Sequence, residues 1–356
     1  MTADAPRPPL PHRTRAWLLG VAVPLAVTAA AWALVASWLP RLPERVALHW
    51  GVGGVVDRVG SAGDLVTVTG VSGGISLVVL AVLSLRVGRT ALTRRTVLGL
   101  ASGTAVFFGG LLVTMVATQV DLADATAAEA PDLGLTLTVV AAVLVGVAAG
   151  ALAGPDPDLP ATAPVPASAA RTPLAGTERA VWIRTAGPNA VLVRWGGLAL
   201  ALYLGLSAWV AVVAASWLVA LVMLGTLLLL LTMLVWQVRV DASGLTARGA
   251  LGWPRQHVPA HEVVEASTRR VSPSREFGGW GLRTAVNGTV GVVVRGGESI
   301  AVERSGGRRF VVTVDDAATG AALLNTFAER ARATAGERSA DRGRTDGGEQ
   351  PRGRTA

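Results

Sequence analysis

The sequence predicts an α-helical polytopic membrane protein carrying a C-terminal, β-rich cytoplasmic domain. Three observations predict it. Six long apolar runs, at 16–39, 65–85, 97–120, 133–154, 195–215 and 217–237, hold no Asp, Glu, Arg or His. Each approaches the ~20 residues a helix needs to cross a ~30 Å hydrocarbon core. The segments between them alternate in charge, and beyond residue 235 solid apolarity gives way to short alternating runs separated by turn residues. A mean hydropathy of +0.50 agrees with lipid as the main solvent.

The first run follows Arg7, Arg13 and Arg15 within a cytoplasmic N-terminus, residues 1–15. It is longer than the apolar core of a signal peptide and no small-x-small cleavage site follows it, so an anchored helix is expected. Runs one to four form a unit over 16–154 with an extracytoplasmic loop at 40–64. The loop between runs two and three holds Arg86, Arg89, Arg94 and Arg95 and no acid. The next loop reverses this, with Asp121, Asp124, Glu129 and Asp132 and no base. Arginine marks the cytoplasmic side, which places both termini inside a cell membrane crossed six times. Trp17, Trp38, Trp195, Trp217 and Trp236 stand at run ends, where an amphipathic ring prefers the headgroup layer.

Residues 155–194 are rich in Pro and Ala and read as a partly extended linker, with a short helix before Asn189. The stretch 195–237 is about 43 apolar residues, too many for one span, and reads as a helical hairpin turning near Ala215 and Ser216. Strands are expected at 235–240, 245–248, 256–259, 263–271, 289–295, 299–303 and 309–314. Asp315 and Asp316 then open a helix whose apolar face is Ala321, Leu323, Leu324, Phe327 and Ala331. The domain occupies 238–334, and the polar tail at 335–356 reads as disordered.

Composition excludes whole classes of chemistry. There is no Cys, hence no disulfide, thiolate nucleophile or thiolate metal site. The net charge of +8 rests on arginine alone and is spread by loop, so it marks topology and not a nucleic-acid surface. The Gly runs at 51–54 and 278–281 match neither a phosphate loop nor a dinucleotide fingerprint. Ionisable residues inside spans are the usual mark of ion-coupled transport, and the runs have none. No catalytic residue, cofactor or metal is expected. Gly146, Gly150 and Gly154, with Gly70 and Gly74, and Gly99 and Gly103, repeat every four residues and suit close packing of helices within the chain.

Two stretches resemble known families. Leu42-Pro43-Glu44-Arg45-Val46-Ala47-Leu48-His49-Trp50, then Gly54, Asp57 and Ser61, resembles the loop L-P-x-x-I-P-x-H-[FW]…G…D…S-K of a bacterial membrane domain of unknown function. Ala47 stands where that pattern has Pro, and Ala62 where it has Lys. The domain also occurs in SdpI-type membrane proteins, so the resemblance implies a distant kinship with immunity proteins against a secreted peptide. The run from Val240-Asp241 and Gly244-Leu245 through His261-Glu262 to Gly278-Gly279-Trp280-Gly281 is similar to the pleckstrin-homology-like domains of bacterial membrane proteins. That implies a barrel closed by its C-terminal helix and a role in assembly or regulation.

The sharpest candidate site is His49, Trp50, Asp57 and Ser61 in the extracytoplasmic loop. A His there senses pH, binds a metal with Asp57 and Glu44, or meets a peptide; the plainer reading is that these residues pack and turn the loop. On the cytoplasmic domain, Arg269, Arg270, Trp280 and Arg283 form a candidate surface for anionic headgroups or a protein. His257 and His261 read as structural, because Glu265 replaces the second His of a zincin helix and Pro259 interrupts the spacing. The expected role is a non-enzymatic sensor, regulator or scaffold, with the lipid bilayer and a protein or anionic lipid as partners and no nucleic acid. The alternatives are a transporter or channel component, or an immunity-type protein.

Overall fold

A computed structural model of the chain describes residues 10–51, 53–175, 178–214 and 217–346. Contacts divide it into a mainly helical unit (8–157 and 203–223) and a mainly β unit (158–202 and 224–356).

The helical unit begins with α1 (Arg13–Trp17), a π turn at Leu18–Ala22 and α2 (Val23–Trp38). A hairpin of β1 (Val46–Trp50) and β2 (Val56–Gly60) follows, then α3 (Ala62–Arg86), α4 (Ala91–Ala117) and α5 (Asp132–Leu152). Capping residues start two of these helices. Ser61 and Asp64 form a reciprocal capping box on α3, and the Thr90 hydroxyl accepts from the Thr93 amide on α4. Glycine sets the packing between α4 and α5. A Cβ on Gly99 would lie 2.7 Å from the Gly146 carbonyl oxygen, and one on Gly103 would lie 2.9 Å from that of Ala142. The helices therefore approach backbone to backbone, as the four-residue spacing predicts. A Cβ on Gly70 would stand 2.9 Å from the Trp32 ring, whereas one on Gly74 would meet nothing.

Two long helices follow: α6 (Ala190–Ala214) and α7 (Trp217–Thr232). Among the described residues, five helical stretches, Arg13–Arg41, Ala62–Arg86, Ala91–Ala117, Asp132–Leu152 and Val193–Val210, are long and apolar enough to cross a membrane. This is the signature of a multi-pass membrane protein. Of the sixth run, Trp217–Thr232 is helical among the described residues, and Trp236 belongs to a strand. The expected turn at Ala215 and Ser216 lies outside the described residues.

The β unit contains β3 (Trp182–Ala186), β4 (Trp236–Asp241), β5 (Gly244–Gly249) and β6 (Arg255–Pro259), which form one antiparallel sheet in that order. A second sheet holds β7 (Val263–Val271), β8 (Gly281–Thr284), β9 (Val290–Val293), β10 (Gly297–Arg304) and β11 (Arg308–Thr313), in the order β7-β10-β11-β9-β8. A short α8 (Pro273–Glu276) precedes β8, and α9 (Ala317–Asp346) closes the unit. Seven of these strands match the expected ones to within a few residues. β3 and β8 are additional, and β9 pairs with β11 in parallel. β3 comes from the expected linker and pairs with β4 across the intervening helices, Ala186 facing Trp236 and Trp182 facing Val240. Trp236 is fully buried in this unit rather than set in a headgroup layer.

The core of the β unit includes Val238, Val240, Leu245, Ile300 and Leu324. Ala321, Leu323, Leu324 and Phe327 form the buried face of α9, as their spacing predicts. Asn325 ties α9 to β7 by accepting from the Ala266 amide at 2.8 Å and donating to the Ala266 carbonyl at 2.8 Å. The tail expected to be disordered from residue 335 is helical as far as Asp346, and 347–356 lie outside the described residues.

Candidate functional site

The His49 candidate is built on β1 and β2, a hairpin where the sequence predicts only a loop. Its register sets Ala47 against Val59, His49 against Arg58 and Trp50 against Val56. Gly53 and Gly54 turn the chain with φ of +87° and +76°, a region that favours glycine. One side of the hairpin seals the helices below, where Val46 packs with Val35, Leu65, Leu112 and Val116. Ala47 packs with Ala125 and Ala128 of the segment between α4 and α5.

A single amide fixes the hairpin to the end of α4. Gln119 is 0% exposed, its Oε1 accepts from the Ala47 amide at 2.6 Å, and its Nε2 donates to the Ala47 carbonyl at 3.1 Å. The side chain thus pairs with β1 as a neighbouring strand would, meeting both backbone groups of one residue. Arg41 and Asp121 form an ion pair beside it, and the arginine's hydrogen bond holds the Asp121 carboxyl below its usual range.

The four candidate residues separate on this frame. Trp50 donates its indole N–H to the Ala128 carbonyl at 3.0 Å and packs with the Ala47 cluster. Ser61 is the N-cap of α3. Both are structural. His49 and Asp57 remain on the surface, Nδ1 to Oδ1 2.7 Å, with side chains 62% and 51% exposed. Together they offer one imidazole and one carboxylate. Glu44 is exposed ahead of β1 and does not complete a three-donor metal set with them. The pair is suited to recognising a polar partner group, with the Asp57 carboxylate fixing the imidazole orientation.

At the other end of α4 lies a residue whose role the sequence does not reveal. Arg94 sits in the first turn of α4 and is 2% exposed. Its Nε donates to the Ala153 carbonyl at 3.1 Å and its Nη1 to Gly88 at 2.8 Å. Its Nη2 donates to Gly154 at 2.9 Å and to Pro155 at 2.7 Å. A helix leaves its last carbonyls without intrahelical partners, and Arg94 gathers those beyond α5. Arg15 adds a donor to Leu152 at 3.2 Å. A groove of about 560 Å³ opens nearby, lined among others by Arg13, Trp17 and Arg86.

The candidates on the β unit do not share one edge. Arg269 and Arg270 lie on β7 and Arg283 on β8, the two outer strands of the second sheet. Arg269 is paired with Glu276 at 2.7 Å, and Arg283 donates to the Trp280 carbonyl at 2.9 Å. Asp158, His261 and Glu262 bring ligand-type atoms within 4.8 Å of one another. They do not suit a cation. Glu262 is buried against Arg304 and Arg308 and also accepts from the Leu159 amide. Burial pushes its pKa up, but the hydrogen bond and charge of Arg304, helped by Arg308, more than reverse this and hold the carboxyl below its ordinary value. His257, on β6, is within 2.8 Å of the Thr246 hydroxyl, which fits its reading as structural.

A family model described as a domain of unknown function, DUF1648, matches residues 26–71. The match runs from α2 through the hairpin into α3 and contains the motif from Leu42 to Ser61. No curated protein and no solved structure matches the chain.

Proposed function

We propose that this chain is a six-span protein of the bacterial inner membrane, with both termini inside, that acts in sensing, regulation or scaffolding and not as an enzyme. Its exposed outer feature is the His49–Asp57 pair, and its inner β unit is the partner-binding module. The observation that carries this reading is the anchoring of α4 at both ends by buried polar side chains. Gln119 holds the outer hairpin and Arg94 holds the chain leaving α5. A helix of 27 residues is ~40 Å long, so one rigid element links the surface that bears His49 to the opposite end of the helical unit.

A pleckstrin-homology-like barrel is the reading of the β unit best supported by its short strands and closing helix. The parallel β9–β11 pair and the strand contributed from upstream depart from that pattern. Photocrosslinking of the full chain in cell membranes through residues of the β unit is expected to capture a defined partner, with altered yield in His49→Ala. Selective flux of a solute through vesicles holding the protein, absent from protein-free vesicles, would overturn the reading in favour of a transporter.

A further inference from the structure

Two turns of the β unit crowd the end of α7. The first, 249–254, joins β5 to β6. A Cβ on Gly249 would stand 2.9 Å from the Thr232 carbonyl oxygen, and Gly249 faces Trp236 across the β4–β5 ladder. The second, 277–280, leads into β8, and a Cβ on Gly281, the first residue of that strand, would stand 3.7 Å from the Met233 Cβ. Thr232 is the last residue of an apolar helix. Backbone within ~4 Å of it lies, in a helix that spans a bilayer, at the depth of the headgroups.

The side chains of these turns suit that depth. Leu251 is 78% exposed, Trp253 63% and Trp280 45%, in a unit whose other large apolar residues are mostly enclosed. Charge points the same way. Arg248 and Arg255 are direct cross-strand partners, so both guanidinium groups leave the sheet on one face at the base of the first turn. Like charges so placed repel, and neither has a carboxylate partner among the described residues. Arg248 donates to the neutral Gln237 at 2.9 Å. Arg283 follows the second turn on β8.

We propose that the two turns form a bilayer-dipping edge. Leu251, Trp253 and Trp280 enter the inner-leaflet interface, and Arg248, Arg255 and Arg283 take the phosphates of anionic phospholipid. The inference rests on reading α6 and α7 as a membrane hairpin that ends on the inner side.

The natural absence of cysteine makes the test direct. Single variants Leu251→Cys, Leu202→Cys and Arg309→Cys of the full chain would carry an environment-sensitive fluorophore. They would be placed in phosphatidylcholine vesicles, with and without phosphatidylglycerol, containing nitroxide lipids labelled at the headgroup or in the chain. Leu202, exposed on α6, is expected to be quenched by chain nitroxides in both mixtures. Leu251 should be quenched by headgroup nitroxides, more strongly with phosphatidylglycerol, while Arg309 stays unquenched. Each arginine near an anionic surface is worth about fivefold in the docked-to-undocked ratio. R248Q together with R255Q should therefore remove most of the phosphatidylglycerol dependence. A quenched Leu202 with an unquenched Leu251 overturns this inference alone. An unquenched Leu202 overturns the membrane reading beneath it. Quenching at Leu251 that ignores both lipid charge and R248Q/R255Q overturns the role of the arginines.

Discussion

In α5 the large apolar side chains Leu133, Leu137, Val143, Leu144 and Val147 point outward, whereas in the β unit Val238, Val240, Leu245, Ile300 and Leu324 are enclosed. The same hydrophobic residues thus face opposite ways in two parts of one chain. Lipid tails are as apolar as leucine, so burying leucine between spans gains little, and the helices associate instead through glycine contacts and polar anchors. In the β unit, enclosure of apolar area is the main driving force. Buried polar groups do not share this contrast. In the helical unit Gln119 and Arg94 answer backbone groups left open at helix and strand ends. In the β unit Asn325 answers both backbone groups of Ala266 in the same way, beside an ionic cluster of Glu262 with Arg304 and Arg308.

That contrast can be broken by substitution. Removing Glu262 takes away the buried carboxylate that Arg304 and Arg308 share, so Glu262→Ala should destabilise the β unit by about 3–5 kcal/mol, read by thermal unfolding of the detergent-solubilised chain. Leu324→Ala should cost about 2–5 kcal/mol by the same assay, from lost transfer energy and the cavity left behind. Its counterpart Leu144→Ala, on the outward face of α5, should stay within about 0.5 kcal/mol in lipid. A similar loss at both positions would refute the two-solvent account. Gln119→Leu should cost about 1–3 kcal/mol for each Ala47 backbone group it orphans, and amide exchange over 46–50 should quicken while the β unit is unchanged.

The smallest effect concerns pH. Burial, assisted by the charge of Arg255, pushes the His257 pKa below its ordinary value. The unfolded chain then takes up a proton near pH ~6.5 that the folded site resists, so stability is greatest above this range and falls as pH drops below it. Melting temperatures at about pH 7.5 and about pH 5.5 should differ accordingly, and His257→Gln should narrow the gap.

Much of this architecture is legible in the order of residues alone. The apolar runs locate the helices of the region 13–232 to within a few residues at most ends, because length and hydropathy report the solvent directly. The strands from β4 to β7 follow from alternation and turn residues, as do β9 to β11. What escapes depends on distant partners. β3 lies in a Pro-rich stretch and becomes a strand only by pairing with β4, whose sequence comes after both long helices. β8 is a four-residue edge strand with no alternation to read. Arg94 reads as a loop charge because its helix begins just after Thr90, well before the apolar run. Of the outer candidate site, the motif is visible and overlaps the stretch matched by the family model. Its division into structural Trp50 and Ser61 and exposed His49 and Asp57 requires the hairpin register. Gln119 gives no signal at all, since one amide at a helix end is commonplace.

The pairing of β3 with β4 also has a modular meaning. Because Ala186 and Trp236 are the last opposed residues of that ladder, everything from 187 to 235 is, in wiring terms, the connection of an ordinary two-stranded ribbon. Such a ribbon closes with two residues when they are Asn-Gly. The helical hairpin is therefore an insertion within a ribbon: splicing out 187–235 severs no strand pairing, and both sheets keep their ladders.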